Sequence, residues 1–337
     1  MLHYGLDVHR KYTSMCVMDD GGLILAEGKA ITQELTSHPA FSLEGEKRVV
    51  LEAGGNWHYL YELLEPAVNE VLLAHPLRVR AIAAARVKTD AIDARTLAHL
   101  LRADLIPAAY IPPPAVRESR ELFRFRYDLV KQRSALKNRV HALLAQEGLN
   151  SPFTDLFGRH GREWMAQLAL ADSKRTRLES FLRVLDGFTA EIQAADRIIL
   201  ERVKTDEKAK LLMTIPGVGF RTALVILAEV GEVSRFPDAN HLVSYAGLAP
   251  RVRSSGGRTK LGNITKQGSS ALRWALVEAT HLAVRKPGYL QEMHRRLRRG
   301  KSAAVAIMAC ARQLLVAIYF MLLRGDAFQP TATRTMS

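Results

Sequence analysis

Hydrophobic and polar positions follow two different rhythms along this chain. Up to about residue 110 the apolar residues come in short runs bounded by turn signals. Leu2–Val8 reads as a buried strand with Asp7 at its end, and Tyr12–Met18 as a second strand. Asp19-Asp20-Gly21-Gly22 is a turn of the hairpin kind, leading into a third strand over Leu23–Lys29. Arg48–Glu52 is short, apolar and ends on a carboxylate, with Gly54-Gly55 just beyond it. Trp57–Leu64 has helical spacing, and Glu70–Ala74 is a fifth strand. A basic segment follows, then a helix predicted from Asp90 through Leu101. A hairpin followed by alternating strands and helices predicts a mixed sheet flanked by helices.

Beyond Ile111-Pro112-Pro113-Pro114 the period changes, since consecutive prolines cannot continue a sheet or a helix interior. Val116–Gly148 reads as one long helix, with Leu122, Leu129, Leu136 and Leu143 at seven-residue intervals. Gly158–Gly161 interrupts the pattern. In the next long helix Leu178, Phe181, Leu185, Phe188, Ile192, Ala195 and Ile199 alternate spacings of three and four, a coiled-coil seam. The two helices can pair within the chain or between chains, so a dimer or higher assembly is expected. Thr214-Ile215-Pro216-Gly217-Val218-Gly219 then opens a third, helical region. A Pro-Gly-x-Gly turn between helices is either an ordinary tight turn or a helix-hairpin-helix, where Gly217 and Gly219 would let backbone N–H groups approach a phosphate. The expected domains are therefore 1–112, 113–205 and 206–337.

Charge sharpens this division. The chain carries 48 Lys+Arg against 34 Asp+Glu. Residues 1–110 hold 11 basic and 14 acidic side chains, so the remaining 37 and 20 leave the rest of the chain strongly basic. That asymmetry suggests chemistry in the first part and a grip on a polyanion, nucleic acid before membrane, in the second. Cys16 and Cys310 are the only cysteines, which excludes a disulfide framework or a cysteine-based zinc site and fits a reducing cytosol. The longest apolar stretch, Ala303–Leu323, has Arg312 and Gln313 at its centre and reads as a buried helix, not a membrane span.

Candidate chemistry starts with acids. Asp7 and Glu52 sit at strand ends, where ligands bind in sheets of this kind. Asp90 and Asp93, at i and i+3, share one face of a helix's first turn, with Arg86 and Lys88 just before them. Taken singly, Asp7 is a strand-end turn residue, Glu52 a surface ion pair, and the aspartate pair a capped, solvated helix start. Together the four carboxylates would converge, if the two strands are neighbours, and hard oxygen donors converging this way suit Mg²⁺ or Mn²⁺. The long helix adds a basic surface including Arg124 and Lys131, poor in acids and suited to phosphate. Leu248–Lys260 is a basic, glycine-rich loop or hairpin that sets Ser254 and Ser255 among Arg251, Arg253, Arg258 and Lys260. It reads as a phosphate-binding element, and a serine so placed is also a possible nucleophile at phosphorus. Arg295-Arg296, Arg298-Arg299 and Lys301 form a further basic cluster.

These motifs, in order and spacing, resemble one family. Gly5-Leu6-Asp7, Leu51-Glu52-Ala53-Gly54-Gly55 and Lys88-Thr89-Asp90-Ala91-Ile92-Asp93-Ala94-Arg95 are similar to the RuvC-like DEDD domain of insertion-sequence-110 transposases. Ile215-Pro216-Gly217-Val218-Gly219, Gly247-Leu248-Ala249-Pro250-Arg251 with Ser255-Gly256, and Gly300-Lys301 are similar to that family's C-terminal domain. The resemblance implies an α/β RuvC-like (RNase H-like) mixed-sheet domain, coiled-coil helices and an all-α transposase domain with a helix-hairpin-helix-like turn. It implies a recombinase that inserts and excises its own element, with Mg²⁺ on Asp7, Glu52, Asp90 and Asp93. It further implies that Ser255 forms a phosphoserine link to DNA, that a noncoding bridge RNA pairs with target and donor DNA, and that acids and serine come from different protomers of a homo-oligomer. It places the protein in the bacterial cytoplasm, at the nucleoid. Gly54 replaces a hydroxyl residue common in relatives, and Ser254 beside Ser255 leaves the nucleophile open to a shift of one. No Walker-type loop is present, in keeping with a covalent intermediate that conserves bond energy. The competing readings are a junction-resolving nuclease using water on the same acids, and a non-catalytic nucleic-acid-binding protein.

Overall fold

A computed structural model of the chain describes residues 1–83, 89–255 and 258–330, with only the backbone described over 252–255 and 258–261. The chain divides into two compact units, Met1–Ile111 and a second beginning at Pro112.

The first unit is built on a sheet of β1 (Leu2–Val8), β2 (Tyr12–Met18), β3 (Ile24–Ile31), β4 (Lys47–Glu52) and β5 (Glu70–Ala74), in the order β3-β2-β1-β4-β5. β1–β2–β3 is an antiparallel meander, while β4 and β5 run parallel to β1. β3 continues past Lys29 because Ile31 still pairs with Tyr12 of β2. Strand side chains alternate between faces, so each central strand carries two apolar sets. Tyr4, Leu6, Met15, Val17, Val49 and Leu51 pack with Leu60 and Leu64 of α1 (Trp57–Leu64). On the opposite face Val50 and Ala74 meet Val79 of α2 (Pro76–Ile82) and Leu97 and Leu101 of α3 (Asp90–Arg102). There Cys16 and Met18 pack on Ala94 and Ala98 of α3.

Small residues let α3 lie directly on the sheet. A Cβ built on Gly5 would fall 2.1 Å from the Ala94 carbonyl oxygen and 2.4 Å from the Ala98 nitrogen. Only glycine at that point of β1 permits helix backbone to touch strand backbone. Thr89 starts α3 as its N-cap, its hydroxyl accepting a hydrogen bond from the Ile92 N–H.

In the second unit α4 (Pro114–Gln146) and α6 (Asp172–Lys204) pack side by side. Glu118 meets Arg202, Arg126 meets Asp196 and Glu147 meets Lys174, so the pair is antiparallel and forms within the chain. Leu129, Leu136 and Leu143 are buried along α4, as are Leu178, Leu185, Ile192 and Ile199 along α6. At one end the pair closes on α5 (Arg159–Gln167) through Met165. At the other, Phe123, Ile199 and Val203 join the core of the remaining helices. Those helices are α7 (Glu207–Leu212), α8 (Phe220–Val230), α9 (Ala239–Tyr245), α10 (Ser270–Ala283), α11 (Tyr289–Arg298) and α12 (Ala303–Arg324).

α12 is long and apolar enough to span a membrane, but it buries Cys310, Leu314, Leu315 and Ile318 in this core. Arg312 bonds the Asn240 side-chain oxygen at 3.1 Å. The expectation of an all-α C-terminal domain is corrected at one place. β6 (Pro250–Ser255) and β7 (Arg258–Ile264) form an antiparallel hairpin with Ser255 opposite Arg258.

Candidate metal centre

Register places the strand-end acids together. β1 and β4 pair in parallel up to Leu6 opposite Leu51, so the next residues, Asp7 and Glu52, end adjacent strands. Asp7 also pairs with Ser14 of β2, and Ser14 with Lys29 of β3. Directly paired residues put their side chains on one face, about 5 Å apart. Lys29, Ser14, Asp7 and Glu52 therefore form a row across one end of the sheet. It lies on the face that carries α3, because Gly5 and Val50, two residues earlier, are on that face. The N-terminal turn of α3 brings Asp90 and Asp93 to the row.

The contacts are short. Asp7 Oδ2 lies 3.2 Å from His9 Nε2, and Asp90 Oδ1 lies 3.3 Å from the same nitrogen. One donor atom from each of Asp7, His9 and Asp90 falls within 4.8 Å of the others. The second oxygen of Asp90 accepts from Lys29 Nζ at 3.1 Å and from the Tyr12 hydroxyl at 3.2 Å. Burial raises the Asp7 carboxyl above its ordinary value of 3.8; His9 opposes this, and the charges of Asp90 and Asp93 add to it. Lys29 first, with Tyr12 and His9, overcomes partial burial and holds Asp90 below its ordinary value. Asp90 in turn raises the Lys29 ammonium. The two carboxylates are thus pushed in opposite directions, Asp7 by burial and Asp90 by its ion pair with Lys29.

The donor set suits a divalent cation. Asp7 and Asp90 bring hard oxygens to the converging group, while Asp93, three residues further along α3, and Glu52, half-buried at the end of the neighbouring strand on the same face, lie outside it. Two polar atoms lack an aligned partner here. The Ser14 hydroxyl, on a residue 1% exposed, has no hydrogen-bond partner among the described residues. His9 Nε2 is buried and stands at ion-pair distance from both aspartates without hydrogen-bond alignment to either.

His9, Tyr12 and Lys29 were absent from the sequence expectations. His9 had a signal: it stands two residues beyond Asp7, the spacing that puts neighbours on one side of an extended chain. Lys29 and Tyr12 reach Asp90 only through strand pairing, over 61 and 78 residues of chain.

The other candidates divide by location. Arg86 and Lys88 lie outside the described residues, as do the side chains of Ser254, Ser255, Arg253, Arg258 and Lys260. Arg251 is exposed on β6, and Lys131 is exposed on α4. Arg124 bonds Glu229 Oε1 at 3.2 Å, pairing with a glutamate that is only 2% exposed. Gly217 has φ +90°, and a Cβ there would come within 2.7 Å of the Ala279 carbonyl oxygen, so packing on α10 itself requires glycine. Gly219 precedes α8 as its N-cap in open space.

Comparison with known proteins agrees in both units. A transposase model of the DEDD type matches residues 4–148. A second model, described as "Transposase IS116/IS110/IS902 family", matches residues 209–295. The chain is 27% identical over 301 residues to a probable family 20 transposase of Pseudomonas aeruginosa, covering 84% of this chain and 86% of that protein. It is 27% identical over 292 residues to the transposase for insertion sequence element IS1111A of Coxiella burnetii, covering 83% and 77%. A pilin gene-inverting protein of Moraxella bovis is 28% identical over 288 residues, covering 83% and 81%.

Proposed function

The chain belongs to the insertion-sequence-110 family of transposases, enzymes that cleave and rejoin DNA, and on that premise we propose that it inserts and excises a mobile element through a serine-linked intermediate. The observation that carries this reading is the meeting of Asp7 and Asp90 around one point at the carboxyl end of the sheet. Asp7, Glu52, Asp90 and Asp93 would hold Mg²⁺, with Mn²⁺ as a substitute. Such a cation supplies Lewis-acid polarisation of a phosphoryl oxygen and charge stabilisation for a leaving oxygen.

The protein's own groups do the rest. The Ser255 oxygen attacks phosphorus and gives up its proton, the bond from phosphorus to the 3′ oxygen breaks, and that oxygen leaves protonated. DNA is then joined to the protein through a phosphoserine. Attack by a 3′ hydroxyl on that ester rejoins DNA without ATP. Arg251, Arg253, Arg258 and Lys260, on the strands that carry Ser255, would neutralise the phosphate. Gly219, Arg86, Lys88 and Lys131 would contact nucleic-acid backbone, whereas Arg124 is engaged by the buried Glu229 and Gly217 by its packing on α10. A bridge RNA would choose target and donor DNA by base pairing, leaving the protein to recognise backbone and shape. Acids from one protomer and serine from another would complete each site in a dimer or tetramer, working on the cytoplasmic nucleoid. The working division is a catalytic domain over 1–112, a helical linker over 113–205 and a serine-bearing domain over 206–337. One relative is described as a pilin gene-inverting protein, a name that is itself one of DNA rearrangement.

The test combines purified protein, labelled element-end DNA, RNA transcribed from the element's flanks and Mg²⁺, resolved on a denaturing gel. Wild type should give a covalent protein–DNA adduct, and Ser255→Ala and Asp90→Ala none. An adduct that survives in Ser255→Ala moves the nucleophile, with Ser254 next. Cleavage without any adduct points to water as the nucleophile and refutes the serine mechanism.

A further inference from the structure

We propose that His9 is a ligand of the same cation through Nε2, making the site a mixed carboxylate–imidazole centre. The inference rests on the acids being a cation site, as proposed above, and adds a residue to it.

Distances carry it first. Two adjacent ligands of an octahedral ion, each about 2.1 Å from the metal, are about 3.0 Å apart. His9 Nε2 stands 3.2 Å from Asp7 Oδ2 and 3.3 Å from Asp90 Oδ1, close to the edges of such a polyhedron. An imidazole serving as a hydrogen-bonding bridge would aim its N–H at one carboxylate. Here Nε2 is aligned with neither and is buried.

The surroundings orient the donors inward. The His9 backbone N–H donates to the Tyr12 carbonyl at 2.9 Å, closing the turn between β1 and β2. The Tyr12 ring packs on the imidazole with centroids 4.7 Å apart. Asn56 Nδ2 donates to the His9 carbonyl at 3.5 Å. On Asp90, Lys29 and the Tyr12 hydroxyl engage Oδ2, leaving Oδ1 to face His9. Tyr12 thus steadies both the ring and the carboxylate, as outer partners do around metal ligands. An imidazole nitrogen among hard oxygens shifts preference from Mg²⁺ towards Mn²⁺.

Pulsed electron paramagnetic resonance on the full chain loaded with Mn²⁺ reads this directly. Wild type should show ¹⁴N coupling from one bound imidazole, altered by ¹⁵N-histidine labelling. His9→Gln, with an unchanged circular dichroism spectrum, should lose the coupling and bind Mn²⁺ about tenfold more weakly, with a smaller preference over Mg²⁺. Bound Mn²⁺ without nitrogen coupling in wild type, or coupling that survives in His9→Gln, overturns the role of His9 and leaves the four-acid site standing. Failure of wild type to bind Mn²⁺ at all refutes the cation site itself and this inference with it.

Discussion

Replacing Gly5 by alanine tests how the metal centre is built. The new methyl carbon would lie 2.1 Å from the Ala94 carbonyl oxygen and 2.4 Å from the Ala98 nitrogen, both helix backbone, where ordinary contact begins near 3.4 Å. Relief therefore requires α3 to lift by about 1 Å. Gly5 does not have a positive φ, so alanine is unstrained in the strand and the clash acts alone. Overpacking of this kind costs about 1–3 kcal/mol, against a gain of under about 1 kcal/mol from a stiffer unfolded chain. Asp90 and Asp93 ride on α3 while Asp7 stays on β1, so the lift widens the gap between them. A misplacement of about 1 Å costs on the order of 100-fold in catalysis. Thermal unfolding should show a less stable first unit, and calorimetry should show Mn²⁺ affinity at least about tenfold weaker. Wild-type stability together with wild-type affinity would refute the direct seating of α3 on β1.

Three further substitutions probe other contacts. Tyr12→Phe removes one of the donors on Asp90 Oδ2 and should weaken Mn²⁺ binding about tenfold by calorimetry without loss of fold. Leu185→Ala opens a cavity in the α4–α6 seam, where Leu185 is 3% exposed, and should cost about 2–5 kcal/mol in denaturant unfolding. Asp196 bonds Arg126 at 2.6 Å and Arg221 at 2.7 Å; burial pushes its carboxyl up, but the two guanidiniums prevail and hold it below 3.8. A depressed carboxylate stabilises the fold above its unfolded value and ceases to do so as pH falls through its folded value. Asp196→Asn should therefore cost about 3 kcal/mol at pH 7, and the deficit should shrink as pH drops below about 4.

Strand positions were readable because short apolar runs bounded by turn residues mark strands buried on both faces: β1, β2 and β5 occupy the predicted residues. The acids were readable as strand-end and helix-start residues, since both kinds of boundary leave local signs. What surrounds them was not. Lys29 and Tyr12 reach Asp90 through pairing between distant segments, which no local pattern encodes. The basic face of α4 was only half legible. Arg126 stands four residues after Leu122 and three before Leu129, a seam position, and it is buried against Asp196 instead of facing solvent. Its spacing was the available sign. Arg120 likewise donates to the Ala228 and Glu229 carbonyls at the end of α8. Basic side chains of α4, Arg124 among them, thus tie helices together.

The most direct test of the cation centre is an anomalous-scattering map of a Mn²⁺-loaded crystal, recorded near the manganese edge. A peak is expected at the carboxyl end of β1, with oxygens of Asp7, Asp90, Asp93 and Glu52 and His9 Nε2 gathered around it at roughly 2.0–2.3 Å. A crystal with manganese bound elsewhere, and no peak between Asp7 and Asp90, would contradict it.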